Sequence, residues 1–254
     1  MRLVWLVING KLNMDIRKEF EQTIVVKQNE CDLNNRMRIA ALLRAVQQIS
    51  TDHCTALGVT DEMYRATHSG FLLAKMSVEV YDDIRVGEQL RLLTHPSMAK
   101  KAVYPRYTEI FHEDGRLAAS VDARWILVDT ENRKILRKCP EGLPLDFGNE
   151  TVDSHDIAIP KIKDAQPVGE LTVTYSRTDI NRHLNNTEYA DIICDHLPLE
   201  LVSEKAIRKM VLSYHQEIRL GESAAICCKE EEEGWYVCGQ LLEKTAFEAW
   251  VQFR

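Results

Sequence analysis

Apolar and polar residues alternate along several stretches of this chain and recur every three to four residues along two others. Alternation near residues 71–81, 88–95, 102–112 and 117–128 predicts half-buried antiparallel strands. Ahead of them, Phe20–Lys27 reads as a strand. Ile39, Leu42, Leu43, Val46, Ile49, Cys54 and Leu57 then share one face of a helix that Gly58 stops. The same order returns downstream: a strand at Leu171–Tyr175, a helix at Thr187–His196 closed by Pro198, and strands near 208–218, 223–229, 235–242 and 245–253. One helix followed by a meander of strands predicts an α+β unit in which an antiparallel sheet curls around a central helix.

The two halves are also related in sequence. DLNNRMRI (32–39) resembles DINRHLNN (179–186), and KMSVEVYDDIRVGE (75–88) resembles KMVLSYHQEIRLGE (209–222). The spacing between the two matches is shorter in the second copy, which locates an insertion in the first around Gly58–Gly70. Between the copies, Pro140, Pro144, Pro160 and Pro167 fall with Gly142, Gly148 and Gly169 in a stretch that reads as a linker. The expected organisation is one unit over 14–139, a linker over 140–169 and a second unit over 170–254. Residues 1–13, ahead of Met14, are either an upstream extension or an added edge strand.

The copies differ where chemistry is most available. Arg36 stands where the second copy has His183, and Asp83 where it has Glu217. Asn185 followed by Glu188 resembles a capping box, which accounts for those residues as helix-end polar groups. It leaves Asp179, Asn181 and His183 unexplained. A lone histidine is ordinarily a surface or packing residue, so the mismatch alone does not establish catalysis. His215, two residues from Glu217 and on the same face of the expected strand, is a rival whose ordinary reading is a solvated strand face.

Composition narrows the function classes. The net charge of −7 lies wholly in residues 151–254, with 11 Lys and Arg against 18 Asp and Glu, which argues against nonspecific nucleic-acid binding. The early apolar run Leu3–Ile8 is far short of a membrane helix and lacks a signal-peptide pattern, so no membrane insertion and a cytoplasmic location are expected. Seven cysteines without CxxC spacing suit neither a disulfide framework nor zinc, and no metal is expected. The EEEE run at 230–233 reads as a solvated hairpin tip.

The string Asp179-x-Asn181-x-His183-x-Asn185-Asn186, with Tyr189 just after it and Glu217 downstream, resembles the active-site signature of the acyl-ACP (acyl carrier protein) thioesterases. WILVD (125–129), the basic run NRKILRK (132–138) and Pro140 resemble the end of that family's first unit. The resemblance covers about residues 15–254. It implies a tandem, or double, hotdog fold. It also implies a network of Asp179, Asn181, His183 and Glu217, no cofactor, and an acyl tunnel between the first helix (Ala40–Leu57) and its sheet. Plant-type members carry a Cys directly after the Glu; Ile218 stands there here, so that thiol is absent.

The implied reaction is hydrolysis of fatty acyl-ACP to free fatty acid. Glu217 is the candidate general base, His183 orients the same water or shares its proton, and the oxyanion is expected at the helix entrance near Asn185 and Asn186. Which of Glu217 and His183 takes the proton stays open. The partner is acyl carrier protein bearing a fatty acyl-phosphopantetheine. Because that protein is acidic, docking is expected on Arg36, Arg38, Lys100, Lys101, Arg133, Lys134, Arg137 and Lys138. Two other readings remain open: a non-catalytic acyl-thioester-binding protein, and a coenzyme A thioesterase or hydratase-like hotdog enzyme. Monomer and homodimer both remain open.

Overall fold

The computed structural model describes residues 15–145, 147–149 and 151–254, so the expected extension at 1–13 lies outside the described residues. The first half runs β1 (Phe20–Val25), α1 (Ile39–Ala56), α2 (Asp61–Ala66), β2 (Ser69–Val80), β3 (Gln89–Pro96), β4 (Val103–His112), β5 (Leu117–Asp129) and the short β6 (Lys134–Ile135). The second runs β7 (Gln166–Thr172), α3 (Glu188–His196), α4 (Leu199–Glu204), β8 (Ile207–Tyr214), β9 (Ser223–Glu231), β10 (Gly234–Leu241) and β11 (Lys244–Phe253).

All strands join one antiparallel sheet in the order β1-β3-β4-β5-β2-β8-β11-β10-β9-β7, with β6 on the side of β5. Read outward from the β2·β8 junction, the two halves have the same order, so the duplication in sequence is a pseudo-twofold in space. The junction pairs Lys75 with Ser213 and Glu79 with Lys209. The segment after β8 and the start of β2 therefore lie toward one end of the sheet, and the segment after β2 lies toward the other.

Each half wraps its sheet around a helix, the α+β hotdog arrangement expected from the sequence. Ala40, Leu42, Leu43 and Ile49 of α1 are almost wholly buried. Enclosing an aliphatic side chain this way contributes roughly 1.5–3 kcal/mol. Gly58, at φ +81, ends the helix in the left-handed region that an L side chain resists. The inserted segment of the first copy is α2. Pro198 does close α3, but a further helix, α4, restarts at Leu199. Arg38–Asp191 (2.6 Å) and Arg44–Glu188 (2.7 Å) tie α1 to α3.

Two boundaries differ from expectation. β7 starts at Gln166 rather than Leu171, inside the segment read as linker, because Pro167 and Gly169 sit at a register shift on an edge strand where a missing donor is tolerated. β8 ends at Tyr214, so His215 and Glu217 follow the strand instead of belonging to it. The cause is a bulge: the N–H groups of His215 and Gln216 both donate to Ala246 O, at 2.8 and 3.0 Å. The first copy has the same device, with Tyr81 and Asp82 sharing Ala118 O. Residues 151–165 form no helix or strand, and Ile157, Ile159 and Ile162 pack on the outer face of the second half beside Val211, Tyr236 and Trp250.

Candidate active site

The loop ahead of each central helix is built by its aspartate. Asp179 N–H donates to His183 O (3.0 Å) and Arg182 N–H to Asp179 O (3.1 Å), while Asp179 Oδ1 accepts from Asn181 N–H (2.8 Å). The first copy repeats this with Asp32 N–H to Arg36 O (2.8 Å), Asn35 N–H to Asp32 O (3.1 Å) and Asn34 N–H to Asp32 Oδ1 (2.8 Å). Arg182 and Asn35 take the left-handed conformation, at φ 66 and 60. Bridges then tie His183 to Arg219 and Arg36 to Arg85, and Leu184 N–H donates to Ile218 O as Met37 N–H does to Ile84 O. One backbone frame therefore presents two different side-chain sets.

In the second copy the frame presents an imidazole and a carboxylate. His183 Nε2 lies 3.9 Å from Glu217 Oε1, and Nδ1 lies 3.5 Å from Asp179 Oδ2 and 3.3 Å from Leu184 O. With the Nδ1 proton between those two oxygens, Nε2 turns a lone pair toward Glu217. The His183 side chain is 12% exposed and that of Glu217 is 42% exposed, so the pair opens to solvent on the carboxylate side. Ile218, at the position after the glutamate, is fully buried in the core. Asn181 is exposed, with its amide 3.4 Å from Asp179 Oδ2.

In the first copy the same places hold a salt bridge. Arg36 Nε lies 3.5 Å from Asp83 Oδ2, and Asp83 also meets Arg85 (2.8 Å) and Arg254 (2.6 Å). That carboxylate is saturated with cations.

The helix entrance differs from the capping box expected there. Asn185 Oδ1 accepts from Thr187 N–H and Thr187 Oγ1, both at 2.9 Å, and the Glu188 side chain goes to Arg44. Contrary to the expectation of an oxyanion donor there, the Asn185 N–H donates to Arg177 O (3.0 Å) and is not free. Asn186 N–H has no acceptor among the described residues.

Sequence reasoning missed Tyr214. Its hydroxyl donates to Asn186 O (3.0 Å), and its ring meets Tyr189 edge-on, with Tyr189 against Phe247 in turn. The available signal was its position in the duplicated strand, where the first copy has Val80. His215 is no part of the site: its Nε2 lies 3.2 Å from Glu248 on β11.

A cavity of about 700 Å³ opens in the first half between α1, α2 and the sheet, with Thr51, Cys54, Phe71, Arg106 and Trp125 in its wall. Leu43, Val46 and Ile49 are buried core and do not line it. Phe71 and Trp125 lie at the sheet end toward which the Glu217 segment also leads. The basic residues separate by end. Lys100 and Lys101, and Arg133, Lys134, Arg137 and Lys138, are exposed, and the pairings Val103–Ile126 and Val128–Ile135 put both groups at that same end. Arg36 and Arg38 are at the other end, paired with Asp83 and Asp191.

Comparison with known families decides the relationship. Residues 2–143 match the acyl-ACP thioesterase N-terminal domain and residues 161–249 the acyl-ACP thioesterase C-terminal domain. The chain belongs to the acyl-ACP thioesterase family. It is 20% identical over 219 residues to oleoyl-acyl carrier protein thioesterase 1 of Arabidopsis thaliana, covering 78% of this chain and 60% of that protein. It is 22% identical to an acyl-[acyl-carrier-protein] hydrolase of Cuphea viscosissima, covering 79% of this chain and 52% of that one. The chain thus spans between half and two thirds of these relatives. The crystal structure of an acyl-ACP thioesterase from Bacteroides thetaiotaomicron superimposes with a TM-score of 0.83 at 22% identity, covering 93% of this chain and 98% of the other. The 12:0-ACP thioesterase from Umbellularia californica gives 0.80 at 17% identity over 93% and 97%. This member of the family therefore has the tandem hotdog fold. Among its described residues, no helix is long and apolar enough to cross a membrane.

Proposed function

We propose that the chain hydrolyses fatty acyl-ACP thioesters to free fatty acid and carrier protein, in the cytoplasm, with the reaction in the second unit (170–254) and the acyl chain held by the first (14–139). The observation that carries this reading is the 3.9 Å between His183 Nε2 and Glu217 Oε1. The gap is too long for a hydrogen bond, and both atoms are acceptors in the tautomer described above. A water off the line between them, about 2.8 Å from each, donates to both and is held for attack.

In this mechanism the water oxygen bonds to the thioester carbon while Glu217 or His183 takes its proton. The carbonyl becomes an oxyanion facing the unpaired Asn186 N–H at the positive end of α3. Collapse breaks the C–S bond, and the thiol of the carrier's phosphopantetheine leaves as thiolate, which needs little acid assistance. Asp179 holds the loop and the Nδ1 side of His183, and Asn181 positions the carbonyl from the solvent side. Asn185 shapes the helix start. Carrier protein docks on Lys100, Lys101, Arg133, Lys134, Arg137 and Lys138.

Release of free thiol from a panel of acyl-ACP and acyl-coenzyme A thioesters tests the proposal. Turnover of acyl-ACP is expected. A wild-type protein that binds these thioesters without releasing thiol would be a carrier-binding protein instead.

A further inference from the structure

A guanidinium is buried in the wall of the first-unit cavity, and among the described residues no carboxylate pairs with it. Arg106 occupies the inward face of β4 in series with Tyr104, Thr108 and Ile110, and is 5% exposed. Its Nη1 donates to His53 Nδ1 (2.9 Å) and Thr94 Oγ1 (3.2 Å), its Nη2 approaches Cys54 Sγ (3.8 Å), and it lies 5.8 Å from the Phe147 ring centre.

None of these partners is an anion. His53 Nε2 lies 2.6 Å from Ile16 O, so that nitrogen carries the proton and Nδ1 accepts from Arg106. Burial first, and the Arg106 cation second, push the His53 pKa down to about 4. Burial raises the Cys54 thiol despite Arg106, and raises the nearby Tyr64 hydroxyl as well. Asp61 and Glu62 of α2 line the same cavity but are exposed, and neither pairs with Arg106. Burying a charge without a counter-ion costs several kcal/mol, and an apolar side chain in the same place would avoid that cost. The opposing walls are of two kinds: Gln47, Ser50 and Thr51 from α1 face Phe71 and Trp125 from the sheet.

We propose that this cavity binds an aliphatic carboxylate whose head group pairs with Arg106 and whose chain lies along Phe71 and Trp125. Guanidinium and carboxylate form two parallel hydrogen bonds, and the burial of Arg106 strengthens them. The inference rests on the acyl-binding role given above to this cavity. The carboxylate arrives either as a released fatty acid that re-enters or as the far end of a dicarboxylic monothioester.

Calorimetric titration of the full chain with decanoate and decan-1-ol tests the site. Decanoate is expected to bind at least tenfold more tightly than the alcohol. Arg106→Met should erase that preference and Arg106→Lys should keep part of it. NMR of carboxyl-labelled decanoate gives a readout that needs no variant: the bound carboxyl should titrate at lower pH than the free acid. Equal binding of acid and alcohol, or an unshifted titration, overturns the proposal. Turnover of decanoyl and 9-carboxynonanoyl thioesters separates the two sources: faster turnover of the carboxylated chain identifies the substrate, and decanoate inhibition relieved by Arg106→Met identifies the product. Carboxylate selectivity without thiol release leaves this site standing and removes the hydrolase, and thiol release without selectivity does the reverse.

Discussion

His183 Nε2 faces Glu217 Oε1 across 3.9 Å, on the same backbone frame that in the first copy closes Arg36 onto Asp83. A guanidinium only donates and fixes its carboxylate as a counter-ion, whereas a neutral imidazole nitrogen presents a lone pair that can accept a proton. Glu217→Gln and His183→Ala are therefore each expected to lower kcat by about 10²–10⁴-fold, the range for losing a general base. Thermal unfolding should barely change for Glu217→Gln, because Glu217 is 42% exposed. Thiol release at the wild-type rate from either variant would take that residue out of the mechanism.

Asp179 and Asp32 shape the two loops in the same way, with Asp32 Oδ1 accepting one further bond, from Arg36 N–H at 2.9 Å, so their removal makes a near-matched pair. Each loses the hydrogen bond that its carboxylate accepts from the backbone N–H two positions on, at 2.8 Å. A cost of about 1–3 kcal/mol in unfolding free energy is expected for Asp179→Ala and for Asp32→Ala. Activity should separate them: only Asp179→Ala releases the Nδ1 side of His183, and only it should lower kcat. Comparable kcat losses in both variants would mean that loop order in general, and no orienting of His183, is what Asp179 supplies.

The exposed basic residues near β6 give a test of docking. Charge reversal of Lys134, Arg137 and Lys138 together is expected to raise KM for acyl-ACP several-fold with kcat unchanged, and to flatten its dependence on salt. Hydrolysis of an acyl-pantetheine lacking the carrier protein should not respond. An unchanged KM for acyl-ACP would move docking to another face.

Much of this architecture was legible in the chain because it is written twice. Strands that bury one face alternate, helices that bury a stripe repeat, and a duplicated DxN loop marks both helix entrances. Comparing the copies singled out His183 and Glu217 as the positions that differ; their joining in one network was implied by the resemblance to the family. What escaped was set by tertiary context. The bulge that turns Glu217 off its strand comes from two amides sharing Ala246 O, a partner far along the chain. Glu188 leaves its expected cap because Arg44, on the other unit's helix, offers a stronger partner at 2.7 Å. Arg106 was readable in part, since it shares strand parity with Ile110; its neutral partners His53, Thr94 and Cys54 were not.

The same buried network predicts how stability depends on pH. Unfolded, the His53 imidazole takes up a proton near pH 6.5; folded, buried beside Arg106 with His95 contributing further repulsion, it does so only near pH 4. Between those values the unfolded chain binds more protons than the folded one, so stability rises with pH. The contribution is fully present above about pH 6.5 and is lost as the pH falls toward 4, by up to about 3 kcal/mol. Urea midpoints should therefore drop between pH 7 and pH 4.5. His53→Gln, which cannot titrate, should lower stability at pH 7 and show a shallower drop. An equally steep pH dependence in that variant would assign the acid sensitivity to other groups.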